Sequence, residues 1–317
     1  MQISGGVKVS GGVNLVPGGS GGAGGGGVSD GYFSGGTPNT IHNPARGLKI
    51  QKFSFSSDGN ATDVGDLIVA TYGCGGTSSS ESGYISGGNE VGNRTDRIQK
   101  FPFASNGNST NVGTLTQVKD SVGSNGQNSS DYGYTCGGAN PAIGGYINRI
   151  EKLSFTSDGN GSDVGDLDAH NSLTSGQSSA DNGYVSAGGY PIVDTIQKFP
   201  FSSDSNSTDV GDLTQGRIDT AGQSSTTEGF VTGGGVTNII EKFPFASDGN
   251  SSDIGDLTTS GRGMAGSSSS TSGYSAGGTA PSGEYNVIDK FPFASGGNAT
   301  DVGDLTGAYY RGAGHQG

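Results

Sequence analysis

A six-residue pattern, Ile-x-Lys-Phe-x-Phe with minor variants, recurs six times along the chain and constrains the fold more than any other feature. Its lysines are Lys52, Lys100, Lys152, Lys198, Lys242 and Lys290, at intervals of 48, 52, 46, 44 and 48 residues. Only the third copy departs at the first aromatic, with Leu153. Around each lysine the same neighbours return. A Gly-aromatic segment ending in a glycine doublet precedes it, with Tyr32, Tyr84, Tyr134, Tyr184, Phe230 and Tyr274 as the aromatics. An Asp-Val-Gly-Asp-Leu segment follows it, as in Asp63 to Leu67, with Ile254 in place of Val in the fifth copy and a degenerate second copy, Asn111 to Leu115. A period of this length marks a repeat architecture, in which each unit buries its apolar faces against its neighbours.

Each copy reads as four short strands: a small-residue strand such as AGQSS, an aromatic strand such as GYISGG, IQKFPF, and TDVGDL. Ser-Asp-Gly-Asn between the last two is a tight hairpin, because Gly and Asn accept positive φ at low cost. No stretch carries the 3.6-residue apolar period of a helix. Four strands in 44–52 residues is the size of a β-propeller blade, so the chain is predicted to be all-β, a six-bladed propeller of antiparallel blades. The blades fall near 29–67, 75–115, 125–167, 175–213, 221–257 and 265–305. The fold also accounts for a composition of 64 Gly in 317 residues, 29 % hydrophobic residues and no Trp, which alone would suit a loosely packed chain. Thin blades need little core: Tyr84, Phe101, Phe103 and Val112 are expected to fill a blade interface between them. Glycines let backbones meet near the axis.

Two segments compete to complete the first blade. The spacer that leads from Leu213 to Ala221 and from Leu257 to Ala265 leads, after Leu305, to Ala313. Residues 313–317 then read as a closing inner strand. The rival is Ala23 to Gly27, whose four consecutive glycines would lose the most backbone entropy on ordering. Residues 1–28 are therefore expected to form a Gly-rich N-terminal extension outside a ring spanning 29–317.

These residues carry a resemblance. The aromatic followed by a Gly-Gly doublet resembles the kelch repeat, without the Trp of its fourth strand. Ser56 to Thr62 is similar to the Asp-box hairpin of other propellers, and both likenesses imply a propeller. The phrase KFPFASDGNATDVGDL resembles a repeat of virion and tail-fibre proteins of tailed phages of marine bacteria. That resemblance implies a virion protein, attached to other virion proteins through the N-terminal extension and leaving homo-oligomer formation open.

Charge and motif content narrow the function. With 16 Lys and Arg against 29 Asp and Glu, the net charge of −13 disfavours sequence-independent nucleic-acid binding. The longest apolar run, Leu67 to Ala70, is far short of a membrane span, and the N-terminus lacks the apolar core of a signal peptide. His42, His170 and His315 sit at non-equivalent places without metal-ligand spacing and are expected to be exposed. Cys74 and Cys136 fall in different registers and are expected to be free thiols. Asp58, Asn60, Thr62, Asp63 and Asp66 are rich in oxygen, yet lack the bidentate Glu of an EF-hand loop. They read as hairpin chemistry, with Asp63 or Asp66 paired to Lys52 across strands, and no cofactor or metal is expected. The recurrent Asn-x-Ser/Thr triplets at Asn60 and its counterparts likewise read as turn chemistry. Pro102, Pro200, Pro244 and Pro292 require an unpaired or bulged site in the third strand.

Variation among the copies points to one end of the ring. The hairpins between third and fourth strands are nearly identical. The loops between second and third strands hold 13, 9, 11, 6, 5 and 9 residues. Scaffolds collect tolerated variation, and often function, on such loops. Arg46, Arg94, Tyr146, Tyr190 and Tyr285 are the candidate ligand-binding residues there, since Tyr faces and Arg donors suit a host-surface glycan or a protein receptor. No catalytic set recurs. The expected function is a virion fibre protein that binds a host surface through this face. The alternatives are a carbohydrate-active propeller enzyme, as kelch and Asp-box relatives include, and a decoration protein without ligand.

Overall fold

The computed structural model describes residues 28–37, 46–90, 92–140, 142 and 144–317. Six four-stranded antiparallel sheets form a ring, a six-bladed β-propeller. In blades two to six the strands run from the axis outwards in chain order, as in Ser175–Ser178, Asn182–Ser186, Thr195–Pro200 and Thr208–Asp212 of the fourth. Among the described residues no helix is long and apolar enough to cross a membrane.

The first blade is assembled from both ends of the chain. Tyr310–Gln316 is its innermost strand and pairs with Asp30–Thr37, with Tyr32 opposite His315 and Ser34 opposite Ala313. The N–H groups of Ser29 and Asp30 both donate to the Gly317 carbonyl, at 2.8 and 3.0 Å. The rival segment Ala23 to Gly27, like the rest of residues 1–27, lies outside the described residues.

Aromatic side chains join the blades, one rung per interface. Tyr32 stacks on Phe103, Tyr134 on Phe201, Tyr184 on Phe245 and Phe230 on Phe293, Tyr84 meets Phe155 tilted at 32°, and Tyr274 closes the circle by stacking on Phe55. The centroids are 4.6–5.0 Å apart. The expectation that Tyr84, Phe101, Phe103 and Val112 share an interface is corrected. Phe101 and Phe103 face back to Tyr32, whereas Tyr84 and Val112 face forward to Leu153 and Phe155. Every blade thus presents its second strand to one neighbour and its third-strand aromatics to the other.

At the axis the blades meet backbone to backbone. A Cβ on Gly222 would lie 2.2 Å from the Gly176 carbonyl oxygen, and one on Gly314 would lie 2.0 Å from that of Gly266. Only glycine allows this approach. The third blade carries extra residues here, and Asn125 reaches across the axis. Its amide donates to the Gly266 carbonyl at 2.6 Å, and its side-chain oxygen accepts from the Gly266 N–H at 3.1 Å.

The hairpins at the ring's other radius do more than turn the chain. The side-chain oxygen of each hairpin Asn accepts the N–H of the preceding blade's outer strand: Asp66 to Asn108, Thr114 to Asn160, Asp166 to Asn206, Asp212 to Asn250, Asp256 to Asn298 and Asp304 to Asn60, all within 2.9–3.1 Å. The six bonds staple the circle. Four of the six repeat lysines also pair between blades, and the expected contact of Lys52 with Asp63 or Asp66 is corrected, because Lys52 bonds Asp30. Lys100, Lys152, Lys198 and Lys290 reach the next blade's hairpin at Asp158, Asp204, Asp248 and Asp58. Asn106 and Gly296 replace that acid after the first and fifth blades. There Lys52 and Lys242 turn instead to Asp30 and Glu228 in their own second strands, while Lys49 takes Asp63 and Asp66. The strand prolines end their strands. Pro102 lies two residues beyond Lys100, which pairs with Thr110 at the last rung to the outer strand, so no ladder bond is lost.

His315 overturns the expectation of exposed histidines: it is 2 % exposed, between the first and second blades. Nδ1 contacts the Thr77 carbonyl at 3.1 Å and so carries the proton, leaving Nε2 to accept from the Ser34 hydroxyl at 2.7 Å. Phe101 meets the ring edge-on, 5.1 Å between centroids. Burial pushes its pKa down to about 4, against an ordinary value of 6.5. Between these values the unfolded chain binds the extra proton. Stability is therefore complete above pH 6.5 and is lost as pH falls towards 4, by about 3 kcal/mol. Gln occupies this position in three other copies, at Gln127, Gln177 and Gln223. The variant His315→Gln is expected to lose less stability between pH 7 and pH 4 than the parent does, by that amount. Parallel denaturation curves at the two pH values are the measurement, and equal losses would contradict the assignment.

Candidate functional site

The variable loops and the links from each outer strand to the next inner strand share one end of the ring. Six equivalent residues root these links: Gly73, Ser121, Leu173, Asp219, Gly263 and Arg311, all left-handed with φ between 54° and 70°. Four are not glycine, a cost on the order of 1 kcal/mol each. A closed belt of main-chain hydrogen bonds holds them. Gly73 donates to Arg311, Leu173 to Ser121, Asp219 to Leu173, Gly263 to Asp219 and Arg311 to Gly263, at 2.7–2.8 Å, and Val122 donates to Gly73 at 3.2 Å. Arg311 also spans the mouth to Asp219, with its Nε at 2.9 Å from Oδ1 and its Nη2 at 2.7 Å from Oδ2. The space beneath is only about 10 Å³, so the axis is plugged.

Beside the plug lies a cleft of about 260 Å³, walled by Arg94, Asp120, Tyr146, Leu173, Tyr190 and Arg311 among others. Three of its residues come from the variable loops of consecutive blades. Arg94 opens the strand Asn93–Pro102, steadied by the Arg97–Glu90 ion pair at 2.8 Å. Tyr146 closes a two-stranded ribbon of Ala139–Asn140 and Gly145–Tyr146. Tyr190 has φ +74° and is 57 % exposed, and it stacks on Tyr146 with centroids 4.7 Å apart and planes 6° apart. Arg94 Nε lies 3.0 Å from Asp120 Oδ1 in an ion pair, and that oxygen is buried without a hydrogen-bond partner among the described residues.

The structure thus brings together Arg94, Tyr146 and Tyr190. Arg46 opens the short 3-10 turn Arg46–Leu48, and its side chain lies outside the described residues, as do His42 and Asn39. Tyr285 turns inward instead, over Gly261, Gly278 and Met264. Burial, and secondarily the nearby Asp289, push its hydroxyl pKa up. Asp120 and Arg311 were not singled out in the sequence. Asp120 lies in a link rather than a variable loop, and Arg311 comes from the far end of the chain.

Elsewhere the polar groups are structural. Lys119 pairs with Glu151 at 2.6 Å, both fully buried, and Arg217 pairs with Glu241 at 2.5 Å. Burial alone would raise the Glu151 carboxyl, but Lys119 and bonds from Thr116 outweigh it and hold it below the usual range. Cys74 and Cys136 are free and buried, their thiols pushed up to about 12 by burial. Among the described residues no group of three or more His, Cys, Asp or Glu could hold a metal ion. His170 is exposed. No protein-family model matches the sequence, and no curated protein is similar to it.

Proposed function

We propose that the ring is a binding module that presents its loop face to a host-surface glycan or receptor, as part of a virion fibre. The observation that carries the reading is the cleft, where loops of three consecutive blades converge on two guanidinium groups and a tyrosine pair. The virion setting rests on the resemblance of the repeated phrase. Connectivity fits it: Ser29 N–H bonds the Gly317 carbonyl and the Ser29 carbonyl accepts from Phe55, so the first described residues enter the ring at the hairpin end, opposite the cleft. Binding is favoured over glycoside hydrolysis because that chemistry uses two carboxyl groups flanking the bond. Asp120 is the only acid among the described residues of the cleft wall, and Arg94 holds it.

Replacing Arg94, Tyr146 and Tyr190 together with Ala is expected to abolish attachment of the labelled protein to bacterial surfaces. Its melting temperature should move by only a few degrees, since exposed loop changes usually cost under about 0.5 kcal/mol each. The control is Asn60, Asn160 and Asn250 each changed to Ser. That variant should melt lower, by about 1 kcal/mol per lost staple, yet attach normally. Normal attachment by the loop variant would refute the choice of face.

A further inference from the structure

The cleft's donors point to the kind of ligand, an inference that rests on the loop-face reading above. Arg94 is ion-paired through Nε with Asp120 at 3.0 Å, and Arg311 commits Nε and Nη2 to hydrogen bonds with Asp219. Among the described residues both Nη atoms of Arg94, and Nη1 of Arg311, make no hydrogen bond, although both side chains line the cleft. Each guanidinium is held in place by a carboxylate behind it, with its remaining N–H edge available. Such pre-oriented forks suit carboxylates and oxyanions, and an ionic acceptor makes these bonds stronger than a neutral one would.

The rest of the wall is not built for a bare anion. The Tyr146–Tyr190 stack adds an apolar face with hydroxyl handles, partly exposed at Tyr190, and Leu173 adds apolar surface. About 260 Å³ is near the lower bound of small-molecule pockets, room for a single ring and its substituent. A protein partner would need about 800 Å² on its side of an interface. We propose that the cleft binds one acidic hexose residue of a surface polysaccharide. Its exocyclic anion, a carboxylate or a sulfate ester, is received by Arg94 and Arg311, and its ring lies against the tyrosines.

Calorimetric titration of the full chain tests this with three probes: methyl glucuronide, glucose 6-sulfate and methyl glucoside. One or both acidic sugars should bind at least about tenfold tighter than the neutral one, the worth of a charge-assisted bond. The arm that binds identifies carboxylate or sulfate as the source. Arg94→Gln should erase the preference. Asp120→Asn keeps the size of the side chain opposite Arg94 but removes the competing charge, so it should tighten acidic sugars several-fold and leave the neutral one unchanged. A purely structural Asp120 would move both probes alike, which would overturn the proposal. Equal binding of all three sugars, or no binding at millimolar concentration, would also overturn it. If the triple loop variant still loses attachment in that case, the loop-face reading survives alone. If the variant attaches normally, the loop-face reading falls.

Discussion

Deletion of residues 313–317 is expected to abolish cooperative folding of the ring. The segment supplies the inner rungs opposite Gly31, Tyr32, Phe33 and Ser34, and the Gly317 carbonyl that receives Ser29 and Asp30. It also carries buried Ala313, which belongs to the apolar cluster around Tyr32 and Phe101, and buried His315. Each lost backbone bond is worth about 1 kcal/mol, and the edge laid bare belongs to a strand buried on both faces. Together these losses rival the 5–15 kcal/mol that typically separates a folded domain from its unfolded chain. Scanning calorimetry of the truncated chain should show a transition lowered by well over 10 °C or none at all. A melting temperature within a few degrees of the parent would show that closure does not depend on this strand.

Glu151→Gln should have the second-largest effect. It leaves the Lys119 ammonium, fully buried at 2.6 Å from its present partner, without a counter-charge. Breaking one side of a buried pair costs about 3–5 kcal/mol. The sequence itself supplies the rescue. The preceding copy has Thr71 and Gln99 at the same two positions, so Lys119→Thr combined with Glu151→Gln should recover most of the loss. Urea denaturation of both single variants and the double completes the cycle. If Glu151→Gln alone costs under about 1 kcal/mol, the pair is not what holds this interface.

What could be read in the sequence is what repeats within one copy. The period, the four strands and the hairpin follow from local spacing, and the propeller follows from them. Partners are another matter, because many polar side chains find theirs one blade further on, and a side chain that lacks that partner turns to another in its own blade. Lys52 looked closest to Asp63 and Asp66, yet it bonds Asp30. The signal was present in the differences between copies: the two hairpins without the acid, at Asn106 and Gly296, follow the two blades whose second strands begin with Asp30 and Glu228. The same holds for Lys119 with Glu151 and Arg217 with Glu241. His315 was misread because the closing strand looks like a loose terminus until its place at the axis is known. In the cleft, Arg94, Tyr146 and Tyr190 were accessible because they sit in adjacent variable loops. Whether a loop tyrosine faces outwards is decided by packing, which sent Tyr285 over Gly261 and Gly278. Arg311 reaches the mouth only through ring closure, which no local pattern encodes.

The belt of left-handed residues at the mouth closes through main-chain hydrogen bonds, with a side-chain pair added only between Arg311 and Asp219, and its six positions are filled by Gly, Ser, Leu, Asp, Gly and Arg. Apart from that pair, side-chain identity there is decoupled from the circle's integrity, and loops of 5 to 13 residues spring from beside the same hub. Such a hub makes the loop face a set of interchangeable cassettes. A lineage could exchange one loop for another of different length and chemistry, and so change what the ring recognises, without re-solving the problem of folding it.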